Sequence, residues 1–327
     1  MINYLITGAT GYIGSMLIKY LLSDSCDENI RITAIVREID KAQALFGYED
    51  SLKIDYICAD IVNNAMMDKV EGCYDYIIHC ASVTKSLEMI THPISVIEGI
   101  VNGTQNIMKL ALRCRVKSVV YLSSMEIYGQ IACSNNDRIT EEEIGVLDNL
   151  NVRNCYPISK RMAENICFCY QKEHGVPVKI ARLAQVFGEG IIKGENRVFA
   201  QFALAAYKKQ DIVLHTSGSS VGNYCDIHDA VRAIMTILKD GVNGEAYNVV
   251  NEANTMTIYE MAELVAKEIA HGEIKVKVQI PNQNIYGYAS DTKLRLSAQK
   301  LIGLQWQPRR GLVDMYKDVI SSFKEQG

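Results

Sequence analysis

Tyr156 and Lys160, four residues apart in "YPISK", are the side chains of this 327-residue sequence with the plainest chemical use. At that spacing they share one side of a helical turn, and Pro157 is tolerated between them if the helix is just starting. A free phenol ionises near pH ~10, and a neighbouring ammonium favours its charged form, so the pair suits a group that takes and returns a proton. A second constellation is "SSMEIYG", residues 123–129, straight after the apolar run Val116–Leu122. It presents Ser124 and Glu126 with Met125 between them. A hydroxyl at Ser124 could hold the same substrate oxygen as Tyr156. Glu126 either faces that substrate or caps a turn, and a Tyr–Lys pair also occurs on ordinary exposed helices. The surrounding elements decide.

Short β-rich runs, Ile2–Thr7, Ile30–Val36, Ile54–Cys58, Tyr74–Cys80, Val116–Leu122 and Val176–Leu183, alternate with amphipathic stretches such as Ser15–Leu22 and Val101–Leu112. That alternation predicts an α/β chain: a Rossmann-type, doubly wound parallel sheet with helices on both faces. After Gly188 the pattern changes to helix Arg197–Lys209, strand Ile212–His215, helix Ile227–Leu238, strand Ala246–Val250 and helical stretches Ile258–Ile269 and Leu312–Phe323. The expected division is a dinucleotide-binding domain over 1–187, completed by about 221–251. A smaller, mixed α/β C-terminal substrate domain takes 188–220 and 252–327.

The first run leads into "LITGATGYIGSMLIKYLL", a strand, a glycine-rich turn and a helix. Gly8 allows the tight turn, Gly11 lets backbone approach a pyrophosphate, and Gly14 permits close helix–strand packing, with the phosphates at the positive end of the helix. A bound nicotinamide ring would add a second positive charge beside Tyr156. After the second strand, where a ribose-binding acid is expected, "TAIVRE" has Arg37. A guanidinium there pairs with a 2′-phosphate, which leans the cofactor, NAD(P), towards NADP; Arg37 stacked on adenine would leave NAD usable. Asp60, after the third strand, is placed either to accept from the adenine amino group or to close a turn.

Net charge of −4 gives no electrostatic case for nucleic acid. No apolar run approaches the roughly 20 residues that cross a bilayer, so membrane insertion is not expected. Ten cysteines without a CxxC pair or zinc spacing read as scattered reduced thiols, which predicts no metal and a cytoplasmic protein.

With these motifs in place, the sequence resembles the extended short-chain dehydrogenase/reductases, the NAD(P)-dependent epimerase/dehydratase group acting on nucleotide sugars. "GATGYIG", "IIHCAS", "YLSSMEIYG", "YPISKRMAE", "ARLAQVFGEG" and "LIGLQWQP" carry the resemblance over nearly the whole chain. It implies Ser124, Tyr156 and Lys160 as the catalytic set, with Glu126 facing the sugar. It implies cofactor contacts from Gly8, Thr10, Gly11, Tyr12, Ile13, Gly14, Arg37, Asp60, Ile61, Cys80, Ala81, Ser82, Tyr156 and Lys160. Substrate contacts would come from Thr84, Ser124, Met125, Glu126, Gln185, Arg197 and Arg295. A homodimer is implied through the helix of Tyr156 and the helix near Val101–Leu112.

Three departures stand out. Gln185 replaces a usual asparagine, Ile100 another, and Gly222 stands where relatives carry the arginine that meets the substrate pyrophosphate, leaving Lys193, Arg197 or Arg295 to substitute. Met125 replaces the aspartate of the carboxylate pair of 4,6-dehydratases, which disfavours that reaction. The expected activity is oxidation of a nucleotide sugar at C4, followed by epimerisation, dehydration or decarboxylation of the 4-keto sugar. The competing readings are an NADPH-dependent carbonyl reductase and a non-catalytic NADP-binding regulator.

Overall fold

A computed structural model of the chain describes residues 1–23, 29–51, 53–131, 138–192, 194–280 and 293–325. Strand β1 (Ile2–Thr7) runs into helix α1 (Tyr12–Leu22), then β2 (Ile30–Val36), α2 (Ile39–Ser51), β3 (Ile54–Cys58), α3 (Asn64–Met67) and β4 (Tyr76–His79). Next come α4 (Ser86–Thr91), α5 (Pro93–Cys114), β5 (Ser118–Ser124), α6 (Cys155–His174) and β6 (Val178–Leu183). These strands and β11 (Ala246–Val249) form one parallel seven-stranded sheet, ordered β3-β2-β1-β4-β5-β6-β11. The order reverses between β1 and β4, so a crevice opens at the carboxyl ends of those strands, where doubly wound sheets bind ligands.

Alternation along the strands explains the two helical layers. Ile6, Ile78, Val120 and Ala181 point to one face, against Met16 and Leu17 of α1 and Ile234 and Ile237 of α8 (Ile227–Asp240). Their neighbours Leu5, Ile77, Val119 and Ile180 point to the other, against Ile100 and Ile107 of α5 and Ala163 and Cys167 of α6. With both faces covered, the strands read as near-continuous apolar runs.

Most of the remaining elements build a third cluster beside the sheet, while the helix Gln299–Ile302 packs on the first. In chain order the remaining elements are β7 (Gln185–Phe187), α7 (Val198–Tyr207), β8 (Ile212–Leu214), β9 (Val221–Gly222), β10 (Tyr224–Asp226), β12 (Met256–Thr257), α9 (Ile258–Leu264), β13 (Val276–Val278), α10 (Gln299–Ile302) and α11 (Leu312–Glu325). Phe187 stacks on Phe199 with ring centres 4.2 Å apart, and Tyr316 meets Phe187 edge-on. Small paired strands (β7 with β10, β9 with β12, β8 with β13) hold this part together.

Two boundaries differ from expectation for identifiable reasons. The helix foreseen near Val101 begins at Pro93, whose fixed φ and missing N–H suit a first helical position. The stretch expected as one helix from Ile258 to Ile269 is α-helical to Leu264 and then widens into a π-turn over Val265–Ile269.

Candidate active site

The glycine turn between β1 and α1 is built from close backbone approaches. Gly8 has φ +67°, and a Cβ there would lie 2.7 Å from the Ala81 nitrogen; a Cβ on Gly14 would lie 2.2 Å from the Gly8 carbonyl oxygen. Gly11 donates to that same carbonyl at 2.9 Å. Helix α1 begins with no side-chain cap and no acid in its first turn, so its leading amides are left for an anion. The β4 end is fixed to the turn through Thr7, whose Oγ1 accepts from the Ala81 amide at 3.2 Å and contacts His79 Nδ1 at 2.7 Å. Burial drives the His79 imidazole down to about 3, so it is neutral at working pH.

Strand β5 ends at Ser124 and passes into a single 3₁₀ turn over Met125–Tyr128, with the Ser124 hydroxyl accepting from the Glu126 amide at 3.2 Å. Arg161 of α6 secures the far side of that turn, donating to the carbonyls of Ile127 at 2.7 Å and Gly145 at 2.7 Å. Tyr156 and Lys160 lie in the first turns of α6, both buried. Ser124 and Tyr156 line one cleft.

A cleft of about 250 Å³ joins these parts. Gly8, Gly11, Tyr12, Ile13, Gly14, Cys80, Ser82, Thr84, Ser124, Met125, Glu126, Tyr156, Gln185 and Arg197 line it, all named from the sequence, and Ser86, Met89, Ser123, Leu183, Ala184 and Val186 complete the wall. Thr10, Ile61, Ala81, Arg37, Asp60, Lys160 and Arg295 do not line it. Arg37 and Asp60 follow β2 and β3, further out along the same strand-end edge. Asp60 Oδ1 accepts from the Val62 amide at 3.0 Å, so one carboxylate oxygen closes a turn. Ile61 packs where a Cβ on Gly103 would sit, 2.7 Å away, and Asn106 binds its carbonyl at 2.8 Å. Arg295 offers its backbone carbonyl to the Ile139 amide at 2.7 Å. Lys193 lies outside the described residues.

The Tyr156 phenol stands above its ordinary value, because burial dominates and the Glu126 carboxylate adds to it. The Ser124 hydroxyl and the Arg153 and Arg197 charges oppose that rise. Lys160 sits behind the ring, its Nζ 5.8 Å from the ring centre and donating to the Leu122 carbonyl at 2.7 Å. Burial lowers the ammonium itself to about 8.

Residues 4–250 match the model of the NAD dependent epimerase/dehydratase family. The chain belongs to that family. It is 27% identical over 320 residues to UDP-glucuronic acid decarboxylase 6 of Arabidopsis thaliana, covering 96% of this chain and 88% of the relative. It is 26% identical over 334 residues to the UDP-N-acetyl-alpha-D-glucosaminuronate decarboxylase of Bacillus cytotoxicus, covering 98% and 97%. Among solved structures, the UDP-glucose 4-epimerase of Thermotoga maritima, bound to UDP-glucose, superposes with a TM-score of 0.82 at 20% identity over 99% of both chains. The UDP-glucuronic acid 4-epimerase of Bacillus cereus, bound to UDP-glucuronic acid and NAD, gives 0.78 at 18% identity over 100% of both chains. These two likenesses establish the fold.

The residues present fit the family's dinucleotide. The three glycines leave a cradle that side chains would fill. Ser82 and Ser123 bring buried hydroxyl oxygens with no hydrogen-bond partner to the cleft. Burial pushes the neighbouring Cys80 thiol up to about 12, so it is packing, not a nucleophile. Among the described residues no cluster of His, Cys, Asp and Glu could hold a metal, and no helix is long and apolar enough to cross a membrane.

Two features were missed in the sequence. Arg153, three residues before Tyr156, binds Glu126: its Nη2 lies 3.1 Å from each carboxylate oxygen. Arg153 precedes α6 on a separate 3₁₀ turn, Val152–Asn154, so helical spacing cannot align it with Tyr156. Tyr224 is the second: a Cβ on Gly222 would fall 2.1 Å from its hydroxyl, so its ring covers the place the usual arginine would leave from.

Proposed function

We propose that the protein oxidises a nucleotide sugar at C4, acts on the resulting 4-keto sugar, and returns the hydride to C4. The observation that carries this reading is the meeting of Ser124, Tyr156 and Glu126 in one cleft with the three glycines of the β1–α1 turn. Bound dinucleotide supplies the hydride acceptor and donor. Tyr156 takes the C4 hydroxyl proton as the carbonyl forms, and Ser124 holds that oxygen. Lys160, behind the ring, would turn to the nicotinamide ribose. Arg37 supports NADP over NAD. The elements around Arg197 and α11 would hold the nucleotide. A cytoplasmic homodimer is the working unit we infer, in which the groove lined by Ile97 and Val101 of α5, Leu150 and Val152 of the segment before α6, and Met162 of α6 is covered by a second copy.

Decarboxylation of a nucleotide-linked uronic acid is the specific reaction favoured among the family's. Oxidation at C4 of such a sugar makes a β-keto acid, whose C5–C6 bond breaks to release CO₂, leaving an enolate that takes a proton at C5. Nothing on the wall need then protonate a departing C6 hydroxyl. Met125 cannot do that, whereas a 4,6-dehydratase requires it. The named decarboxylases at 27% and 26% identity support the same choice. The test incubates the enzyme with UDP-glucuronate and UDP-glucose in deuterated water and follows C5 by NMR. The expected result is CO₂ release with deuterium at C5 from UDP-glucuronate, slowed about tenfold or more in Glu126→Gln. A 6-deoxy-4-keto product from UDP-glucose would sink the argument from Met125.

A further inference from the structure

Glu126 creates a difficulty for the chemistry just proposed. A carboxylate beside Tyr156 opposes formation of a phenolate, yet both line the same cleft. The segment before α6 supplies the answer. Asp148 accepts from the Leu150 amide at 2.9 Å, and its carbonyl accepts from Asn154 Nδ2 at 2.9 Å. Asn151 caps the next turn by accepting from the Arg153 amide at 3.0 Å. This network delivers the Arg153 guanidinium to Glu126, where Nη2 meets both oxygens at 3.1 Å. Both side chains are about a third exposed, at 30% and 37%, so the pair is partly open to solvent and not a buried structural bridge, and its glutamate lines the cleft.

We propose that Arg153 is a positioning residue of this site: it fixes the Glu126 carboxylate as an acceptor facing the sugar and offsets its charge at the Tyr156 hydroxyl. The glutamate therefore receives a hydrogen bond or a proton but does not supply one. The inference rests on the C4-oxidation reading for its purpose, but its geometry stands apart from the identity of the sugar. The charged and titratable groups facing Tyr156 are Glu126, Arg153 and Arg197, with Lys160 on its own helix and Tyr121 on β5. Of these, Glu126 raises the phenol while Arg153 and Arg197 lower it. Removing Arg153 leaves the carboxylate unopposed, so the phenol must rise further.

The experiment uses protein loaded with oxidised nicotinamide dinucleotide. A phenolate against the cationic ring gives a charge-transfer absorbance, and the part abolished by Tyr156→Phe reports this tyrosine alone. Its pH midpoint is measured in wild type, Arg153→Met, Arg153→Lys, Glu126→Gln and the double variant Arg153→Met/Glu126→Gln. Arg153→Met should raise the midpoint by roughly one pH unit, Glu126→Gln should lower it, and the double variant should return close to wild type. Arg153→Lys should rescue most of the shift, which a purely structural role would not predict. An unmoved midpoint in Arg153→Met, or a double variant as displaced as the single one, overturns the proposal. If the midpoints move as expected while no nucleotide sugar turns over, the substrate reading falls and the role of Arg153 stands. A band that Tyr156→Phe leaves intact would take the phenol away from the nicotinamide and overturn both.

Discussion

The two ends of the cleft are built by different means. At the glycine turn, the end proposed for the cofactor, the work is done by backbone: a turn at Gly8, an uncapped helix start, and strand ends held by Thr7 and His79. At the end proposed for the sugar it is done by charged side chains in pairs, Glu126 with Arg153 and Arg197 with Glu195 at 2.7 Å. Close backbone approach leaves almost no room for substitution, whereas paired side chains at a cleft mouth can be exchanged without disturbing the fold that carries them.

The sharpest way to break that contrast is Gly14→Val. Its added carbons would meet the Gly8 carbonyl, so dinucleotide affinity should fall by about 1,000-fold or more, roughly 4 kcal/mol, in a calorimetric titration. Normal binding would mean that the turn is held by something other than close approach. Next in size is Tyr156→Phe. Turnover should fall about 100-fold or more while cofactor affinity stays within a factor of about two. A loss of both would make the tyrosine a packing residue. The smallest effect belongs to Arg37→Asp, exposed at the edge of the cofactor end. NADP affinity should drop about tenfold with little change for NAD, as expected for losing one charge-assisted contact. Equal losses in the two titrations would remove the 2′-phosphate assignment.

What was legible in the sequence follows the same division. The strand runs Ile2–Thr7, Ile30–Val36 and Ile54–Cys58 are found at the expected residues, because a sheet buried on both faces demands unbroken apolar stretches. The glycine loop and the Tyr–Lys pair were readable because their chemistry depends on local spacing. Arg153 was not, since its partner lies 27 residues earlier and the two meet only through packing of α6 on the β5 turn. The wall from Ser86 and Met89 was likewise invisible, as neither residue type announces a ligand. The contact of Lys160 Nζ with the Leu122 carbonyl was equally unreadable, since it depends on the packing of α6 against β5.

The fit of Tyr224 over Gly222 bears on how this chain could have diverged. The two positions are interlocked, since any side chain at 222 runs into the ring at 224 and the ring is wedged among Phe187 and its neighbours. Regaining an arginine at 222 by one change would pass through a clash, costing about 1–3 kcal/mol from overpacking. Shrinking Tyr224 first would open a cavity in the third cluster, costing about 3–5 kcal/mol for loss of a large aromatic. Either order of steps passes through a less stable chain. With the ring closed over the glycine, a grip on a diphosphate has to come from elsewhere on the cleft.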